Sequence, residues 1–368
     1  MTWLAAPAIA AGVYYLLVLI AALRWPVRSA APRAPAGGVS ILKPIRGRDP
    51  HFYEAIRSHA LQDYPEFEIL FGVSDPNDSA VGDIRRLMAE FPGRDIRLIV
   101  TSAQFPNAKV GVLAGLAAEA RYPLLLINDS DIRVDSDYLR QVTAKLQQPG
   151  TGLVTCLYRA QSDTWPGRWE ALGVATEFAP SVLVARLVGS AEFALGSTLL
   201  LRAEDLRRIG GFAAIGDYLA DDYQLGLRVH NLGLRVAFAS PVVETHLGGE
   251  TWTHVWRHQL RWSRSIRVSR PGGYYGYLVT HATFFSLVAI LSGAWPAGLA
   301  VLSIRLLAGI CVGWHVLRDP SVARYVCLIP LRDLWGFAIW LCGVFGSAVE
   351  WRGQRLRITS DGKIVTDL

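Results

Sequence analysis

Three acidic clusters punctuate the middle of this 368-residue chain: Ser74-Asp75-Pro76-Asn77-Asp78, Asn128-Asp129-Ser130-Asp131 and Ala220-Asp221-Asp222-Tyr223. Asp, Asn and Pro are ordinary turn formers, so Asp75 and Asp78 read equally well as a turn. Asp129 and Asp131 carry more information. Two carboxylates at alternate positions after a buried apolar run repel one another unless a cation offsets them. A hard cation such as Mg²⁺ or Mn²⁺, held by one or two carboxylates plus substrate phosphates, is the usual solution. Asp221 and Asp222 precede a helical run at 224–231. They fit either the capping and dipole role of a helix start or a general base within reach of an acceptor hydroxyl. A fourth stretch, 252–270, spaces His254, Arg257, His258, Arg261 and Arg264 at helical intervals, with Trp252, Trp256 and Trp262 between them. Such a helix suits an anionic lipid surface. It also suits a diphosphate, because arginine offers a planar donor fork. No nucleic-acid partner is expected, since the basic stripe abuts an apolar segment and no RNA- or DNA-binding motif is present.

The elements that must carry these residues alternate. Short apolar, β-branched runs at 39–42, 68–73, 96–100, 124–127 and 152–155 read as buried parallel strands. Helical periodicity occupies 52–61, 79–91, 110–120 and 136–147 between them. The pattern predicts an α/β, doubly wound, mostly parallel sheet, whose ligands lie beyond the carboxyl ends of the strands. No G-x-G-x-x-G and no Walker A sequence is present.

Outside this middle the chain has a different solvent. It is 51% hydrophobic and only 18% charged, with net charge +6, which excludes both a disordered chain and an ordinary soluble domain. Residues 4–23 carry no charge and are long enough to cross a bilayer, with Arg24, Arg28 and Arg33 following. The positive-inside rule sets Arg24 onward in the cytoplasm. Apolar runs return at 278–294, 296–316 and, more briefly, 334–349, with Arg318, Arg324, Arg332, Arg352 and Arg355 around them. Three crossings would put Arg352 and Arg355 outside, so either the last piece, 334–349, is re-entrant or interfacial, or an end of one run lies elsewhere. Of four cysteines only Cys156 lies in the polar middle, a usage that implies neither a disulfide framework nor a zinc site. The expected organisation is an anchor and basic linker at 1–38, a catalytic domain at 39–250, an interfacial helix region at 251–277 and a membrane region at 278–368.

Four elements in order, Asp78, Asp129-Ser130-Asp131, Asp221-Asp222 and His258-Gln259-Leu260-Arg261-Trp262, resemble the D, D, D, (Q/R)xxRW pattern of family 2 and family 21 glycosyltransferases. Within that pattern the chain resembles ceramide glucosyltransferases and the related hopanoid-biosynthesis-associated enzymes. Ser40-Ile41-Leu42-Lys43-Pro44, Asp49-Pro50, Asp63-Tyr64-Pro65 and Gly210-Gly211-Phe212 also match family positions. The resemblance implies a GT-A catalytic domain, a UDP-sugar donor and a divalent metal, Mg²⁺ or Mn²⁺. It implies that Lys43, Asp75, Asp78, Lys109, Asp129, His258, Arg261 and Trp262 hold the nucleotide-sugar, and that Asp129 and Asp131 hold the metal. Asp222, with Asp221 beside it, would be the base; Gly196, Ser197 and Trp262 would meet the acceptor. His258 stands where the pattern has Gln or Arg, which points to the hopanoid-associated branch. The activity implied is inverting transfer of glucose or N-acetylglucosamine to a lipid hydroxyl, on a hopanoid or ceramide-like acceptor, by a multi-pass membrane protein. A polysaccharide synthase, a polyprenyl-phosphate glycosyltransferase and a non-catalytic adaptor that binds nucleotide or anionic lipid are the alternatives.

Overall fold

A computed structural model describes residues 3–26, 37–101, 105–249, 251–351 and 354–365. Arg28, Arg33 and Arg352 lie outside the described residues. The chain forms two compact units: one from Arg28–Tyr158 with Glu192–Gly248, the other from Met1–Val27, Arg159–Ala191 and Gly249–Leu368.

The first unit is a layered α/β body. Strands β1 (Val39–Pro44), β2 (Phe67–Val73), β3 (Asp95–Val100), β4 (Leu124–Ile127) and β6 (Thr151–Thr155) fall within two residues of their expected ends. So do helices α2 (Phe52–Ala60), α3 (Val81–Glu90), α4 (Ala108–Glu119) and α5 (Tyr138–Leu146). With β8 (Leu199–Arg202) and β9 (Arg235–Phe238) the strands make one seven-stranded sheet in the order β3-β2-β1-β4-β8-β6-β9. Both faces are covered, and side chains alternate between two cores. Ile41, Leu124 and Leu126 join Ile69, Phe71 and the α2, α3 and α5 side chains; Leu42, Leu125 and Ile127 join Leu70 and the α4 side chains. That double burial is why these strands read as unbroken apolar runs.

The sheet is parallel except at β8, which pairs antiparallel with β4 (Ile127↔Leu199) and with β6 (Val154↔Leu200). Its direction decides the site. Residues that enter β8 lie beside residues that leave β4, so Gly196 and Ser197 come up against Asn128 and Asp129. A two-residue strand β5 (Ile132–Arg133) then pairs antiparallel with β10 (Val243–Leu247), setting Thr245 opposite Ile132. Helix α8 (Ala203–Arg208) follows β8, and α9 (Asp221–Asn231) begins on its two acids.

The second unit is helical. The N-terminal α1 (Ala6–Leu23) is apolar and long enough to cross a bilayer, as are Trp295–Val316, which begins as α13 (Trp295–Cys311), and Val326–Gly343, which contains α15 (Ile329–Gly343). The expected apolar piece at 278–294 is broken: Pro271–Thr280, containing α11 (Pro271–Gly276), meets α12 (Ala282–Leu291) at 46° around His281. The expected piece at 334–349 also shifts. Its helix starts earlier and ends near Gly346, whose φ of +79° favours glycine. Ala348–Trp351 is then a strand, β11, paired with β12 (Gln354–Ile358). Strand β7 (Tyr158–Ser162) leads into Arg159–Ala191, which the sequence reading kept inside 39–250. That segment belongs instead to the helical unit, where α6 (Trp165–Gly173) packs on α15 and α7 (Ala179–Leu187) on α1. The charge inside the Trp295–Val316 run has a partner: buried Arg305 holds Asp333 of α15 at 2.5 and 2.9 Å, and Thr283 donates to the same carboxylate. Helix α10 (Trp252–Ser269), a short α14 (Ser321–Arg324) and strand β13 (Ile364–Val365) complete the unit.

Candidate active site

At the carboxyl edge of the sheet, four chain segments converge. Strand β4 delivers Asp129, the loop before β8 delivers Gly196, α9 delivers Asp221 and Asp222, and α4 delivers Lys109. Lys109 lies in the first turn of α4, where no acid sits and a cation opposes the helix dipole. That local cost is offset by two ion pairs, Nζ to Asp129 Oδ1 at 2.7 Å and to Asp221 Oδ2 at 3.3 Å. Burial by itself would lower the Lys109 pKa; the attraction of Asp129 and Asp221, with Asp222 further off, outweighs it and raises the value. Asn107 fixes the start of α4, accepting from the Val110 N–H and donating to the Tyr218 carbonyl.

Asp222 accepts from the Gly196 N–H at 3.0 Å on one oxygen and from its neighbour Tyr223 N–H at 2.7 Å on the other. Burial, then repulsion from Asp221, push its carboxyl from 3.8 up to about 6, with Lys109 opposing. A carboxylate so placed is ionised at neutral pH yet far more basic than an exposed one. Gly196 marks the centre of the group. A Cβ added there would lie 3.1 Å from Asp129 Oδ2, 3.5 Å from Asp222 Oδ2 and 3.7 Å from Lys109 Nζ. A side chain there would crowd Asp129 in particular, so its absence lets the two carboxylates and Lys109 close around the backbone.

Asp131 faces the other way. Its carboxylate accepts from the Thr245 hydroxyl on β10, and burial followed by repulsion from Asp129 pushes it up to about 6. Asp129 and Asp131 are hard oxygen donors of the kind a divalent cation takes. Among the described residues no group of three His, Cys, Asp or Glu at ligand distance includes either of them, so phosphate oxygens and water would have to complete such an ion's shell. Lys43, wholly buried at the end of β1, donates to the Asp129 carbonyl at 2.9 Å. Burial lowers it to about 7 against the attraction of Asp131, Asp129 and Asp49.

The remaining residues singled out from sequence have diverse places. Asp78 holds its own loop: its carboxylate accepts from Gly47 N–H at 2.7 Å and Ala80 N–H at 2.9 Å. The tethered Gly47 loop carries Asp49, which accepts from Ser130 between the two metal-side acids. Asp75 is exposed and closes an Asx turn with Asn77. The buried Ser197 hydroxyl donates to the Cys156 carbonyl, and the Ser197 carbonyl accepts from Asn128. His258, Arg261 and Trp262 belong to α10 in the other compact unit. There His258 Nδ1 meets the almost completely buried Glu170 carboxylate at 2.6 Å, with the Trp262 ring 4.4 Å from the imidazole. The Gln259 side chain accepts from Arg332 and Trp335.

Sequence reasoning missed Thr245, Asn107 and Glu170, and met Asp49 only as part of a motif. Glu170 and Thr245 act across 88 and 114 residues, so no local spacing reveals them. Asn107 was legible, as an Asx residue capping the run that follows.

A seven-stranded, mostly parallel sheet with paired acids at its carboxyl edge is the GT-A arrangement. A solved mannosyltransferase from Pyrobaculum calidifontis, in complex with GDP-Man and Mn²⁺, shares this fold at 21% identity and TM-score 0.54, covering 93% of this chain and 97% of its own. The chain belongs to glycosyl transferase family 21, whose model matches residues 2–364. It is similar to ceramide glucosyltransferase 3 of Caenorhabditis elegans, 30% identical over 206 residues, which are 55% of this chain and 45% of that protein. It is also similar to a ceramide glucosyltransferase of Candida albicans, 34% identical over 123 residues, 30% of this chain and 22% of that one. The chain thus spans less than half the length of these curated relatives.

Proposed function

We propose that the protein is a membrane-bound, inverting hexosyltransferase that moves glucose or N-acetylglucosamine from a UDP-sugar to the hydroxyl of a ceramide-like or hopanoid lipid. The observation that carries this reading is the gathering of Asp129, Lys109 and the basic Asp222 around Gly196, where the lack of a side chain lets them approach. In the proposed step the acceptor oxygen attacks the anomeric carbon while its proton passes to Asp222. The bond from that carbon to the diphosphate breaks, and its electron pair leaves with the diphosphate. A base contributes roughly 10²–10⁴ in rate. With Asp222 as the single base and Asp129 assigned to the metal rather than to a nucleophile, the reading is direct displacement, hence inversion. Asp129 and Asp131 would hold Mg²⁺ or Mn²⁺, which when bound offsets charge on the departing diphosphate. Lys109 pairs with both Asp129 and Asp221 and so holds them in register. Lys43, Asp75 and Asp78 would serve the nucleotide end. His258, Arg261 and Trp262 are assigned to the donor, Trp262 also to the acceptor; Gly196 and Ser197 are assigned to the acceptor.

The catalytic unit is proposed to face the cytoplasm, with Arg24 at the inner end of α1. Arg257 of α10 pairs with Glu350 of β11 at 2.9 Å, which supports a tail that ends on the α10 side. An even number of crossings then separates the two, namely Trp295–Val316 and Val326–Gly343, and the bent α11–α12 pair is re-entrant. Exposed Cys327 should accordingly react with an impermeant maleimide from outside the cell.

The test is incubation of membranes with labelled UDP-glucose or UDP-N-acetylglucosamine and mass spectrometry of the lipids. A monoglycosylated lipid of inverted anomeric configuration is expected. Retained configuration, elongated glycan, or no lipid product from any UDP-sugar would each overturn the reading.

A further inference from the structure

The end of α1 and the end of α7 together hold two arginines that have no acid to answer them. Arg24 follows directly on the apolar span, and Arg186 lies in the last turn of α7. Both are exposed, and among the described residues neither guanidinium has a hydrogen-bond or ion-pair partner. The sequence offers none nearby: no Asp or Glu precedes Asp49, and none lies between Glu177 and Glu192. The two arginines line a cavity of about 230 Å³ whose remaining walls are Ala21, Leu183 and Leu187.

The surroundings are those of a bilayer's headgroup layer. Trp25 is buried beneath Arg186, whose guanidinium carbon stands 5.1 Å from the ring centroid. That cation–π contact occupies one face of the guanidinium and leaves its N–H edge for an acceptor. Leu23 and Val188 are 70% and 59% exposed beside the site, an apolar surface for acyl chains. A position at the end of a crossing helix is level with lipid phosphates.

We infer that Arg24 and Arg186 form a binding site for the phosphate diester of an anionic phospholipid, built from residues assigned to neither donor nor acceptor. Arginine meets phosphate oxygens in a bidentate fork, and the flanking leucine and valine favour a lipid over free phosphate.

The test uses the full-length protein, delipidated in detergent and titrated with phosphatidylglycerol, phosphatidylcholine of the same acyl chains, or inorganic phosphate, with native mass spectrometry as readout. Phosphatidylglycerol should bind about tenfold or more tightly than phosphatidylcholine. Arg24→Gln and Arg186→Gln should each weaken it about fivefold and together about 25-fold. Arg324→Gln, an exposed arginine of α14, should leave it unchanged. Equal affinity for the two lipids, or an equal loss in Arg324→Gln, would overturn the site. Displacement of the lipid by inorganic phosphate at matched concentration would make it a free-anion site and overturn the lipid assignment. Should the double variant fail to fold, Arg186→Glu at one exposed position serves instead, and a lipid preference that survives it refutes the proposal.

Discussion

Replacing Asp222 with Asn should move activity and stability in opposite directions. Within the fold its carboxyl sits at about 6 rather than 3.8, because it is buried and stands beside Asp221. At 1.36 kcal/mol per pH unit, that displacement corresponds to a cost of at most about 3 kcal/mol for the ionised form. A folded pKa above the unfolded one means the cost is present only when the group is charged. It is complete above about pH 6 and gone below about pH 4. Asparagine carries no such cost. It does surrender one of the two N–H bonds Asp222 accepts, from Gly196 or Tyr223, at about 1–2 kcal/mol. The variant should therefore be more stable by about 1–2 kcal/mol near pH 8, with a Tm higher by about 2–4 °C, and the gap should close toward pH 4. Turnover should fall roughly 10²–10⁴-fold, while the unmodified protein loses activity about tenfold per pH unit below about pH 6. Initial rates with a labelled UDP-sugar and thermal melts at both pH values check this. Turnover within threefold of the parent, or a variant less stable near pH 8, would refute the reasoning.

Gly196→Ala should lower kcat about tenfold with little change in Tm, because its methyl must displace the Asp129 carboxylate by a few tenths of an ångström while only touching that of Asp222; a rate equal to the parent's would show that the placement of Asp129 is not critical. Thr245→Val removes the hydroxyl that donates to Asp131 and should weaken Mn²⁺ activation by roughly 10–100-fold, read from activity against metal concentration after EDTA stripping. His258→Ala leaves the Glu170 carboxylate buried without its partner and should cost about 2–3 kcal/mol in thermal melts. His258→Gln, which restores the residue of the family pattern and can still donate to Glu170, should recover most of that loss.

The strands before residue 156 were legible because double burial makes them unbroken apolar runs, and the helices between them because their apolar stripes recur at 3.6 residues. β8 was missed: Leu199–Leu201 is as short and apolar as its neighbours, and nothing local states that it runs the other way. The clusters at Asp129 and Asp222 drew attention by composition alone. Which oxygen faces Gly196 depends on strand direction, which only the folded sheet supplies. The grouping of Arg159–Ala191 with the helical unit was hidden for a similar reason, since its helices are defined by the partners they cover. His281 is visible in the sequence as a polar residue in the apolar run, but one histidine barely dents its hydropathy and does not announce a bend.

The antiparallel strand has a consequence for biosynthesis. β4 and β6 never touch; β8 lies between them, and it is the last of these three to leave the ribosome. Until Leu199–Arg202 emerges, the nascent chain holds an open edge at Leu124–Ile127, four consecutive aliphatic residues with unpaired backbone groups. Meanwhile the ribosome is producing α6 and α7, which fold with the helical unit. A chain stalled or cleaved between Tyr158 and Leu199 would thus present a sticky half-sheet. Aggregation at that stage, rather than loss of the finished enzyme, is the vulnerability that this topology builds in.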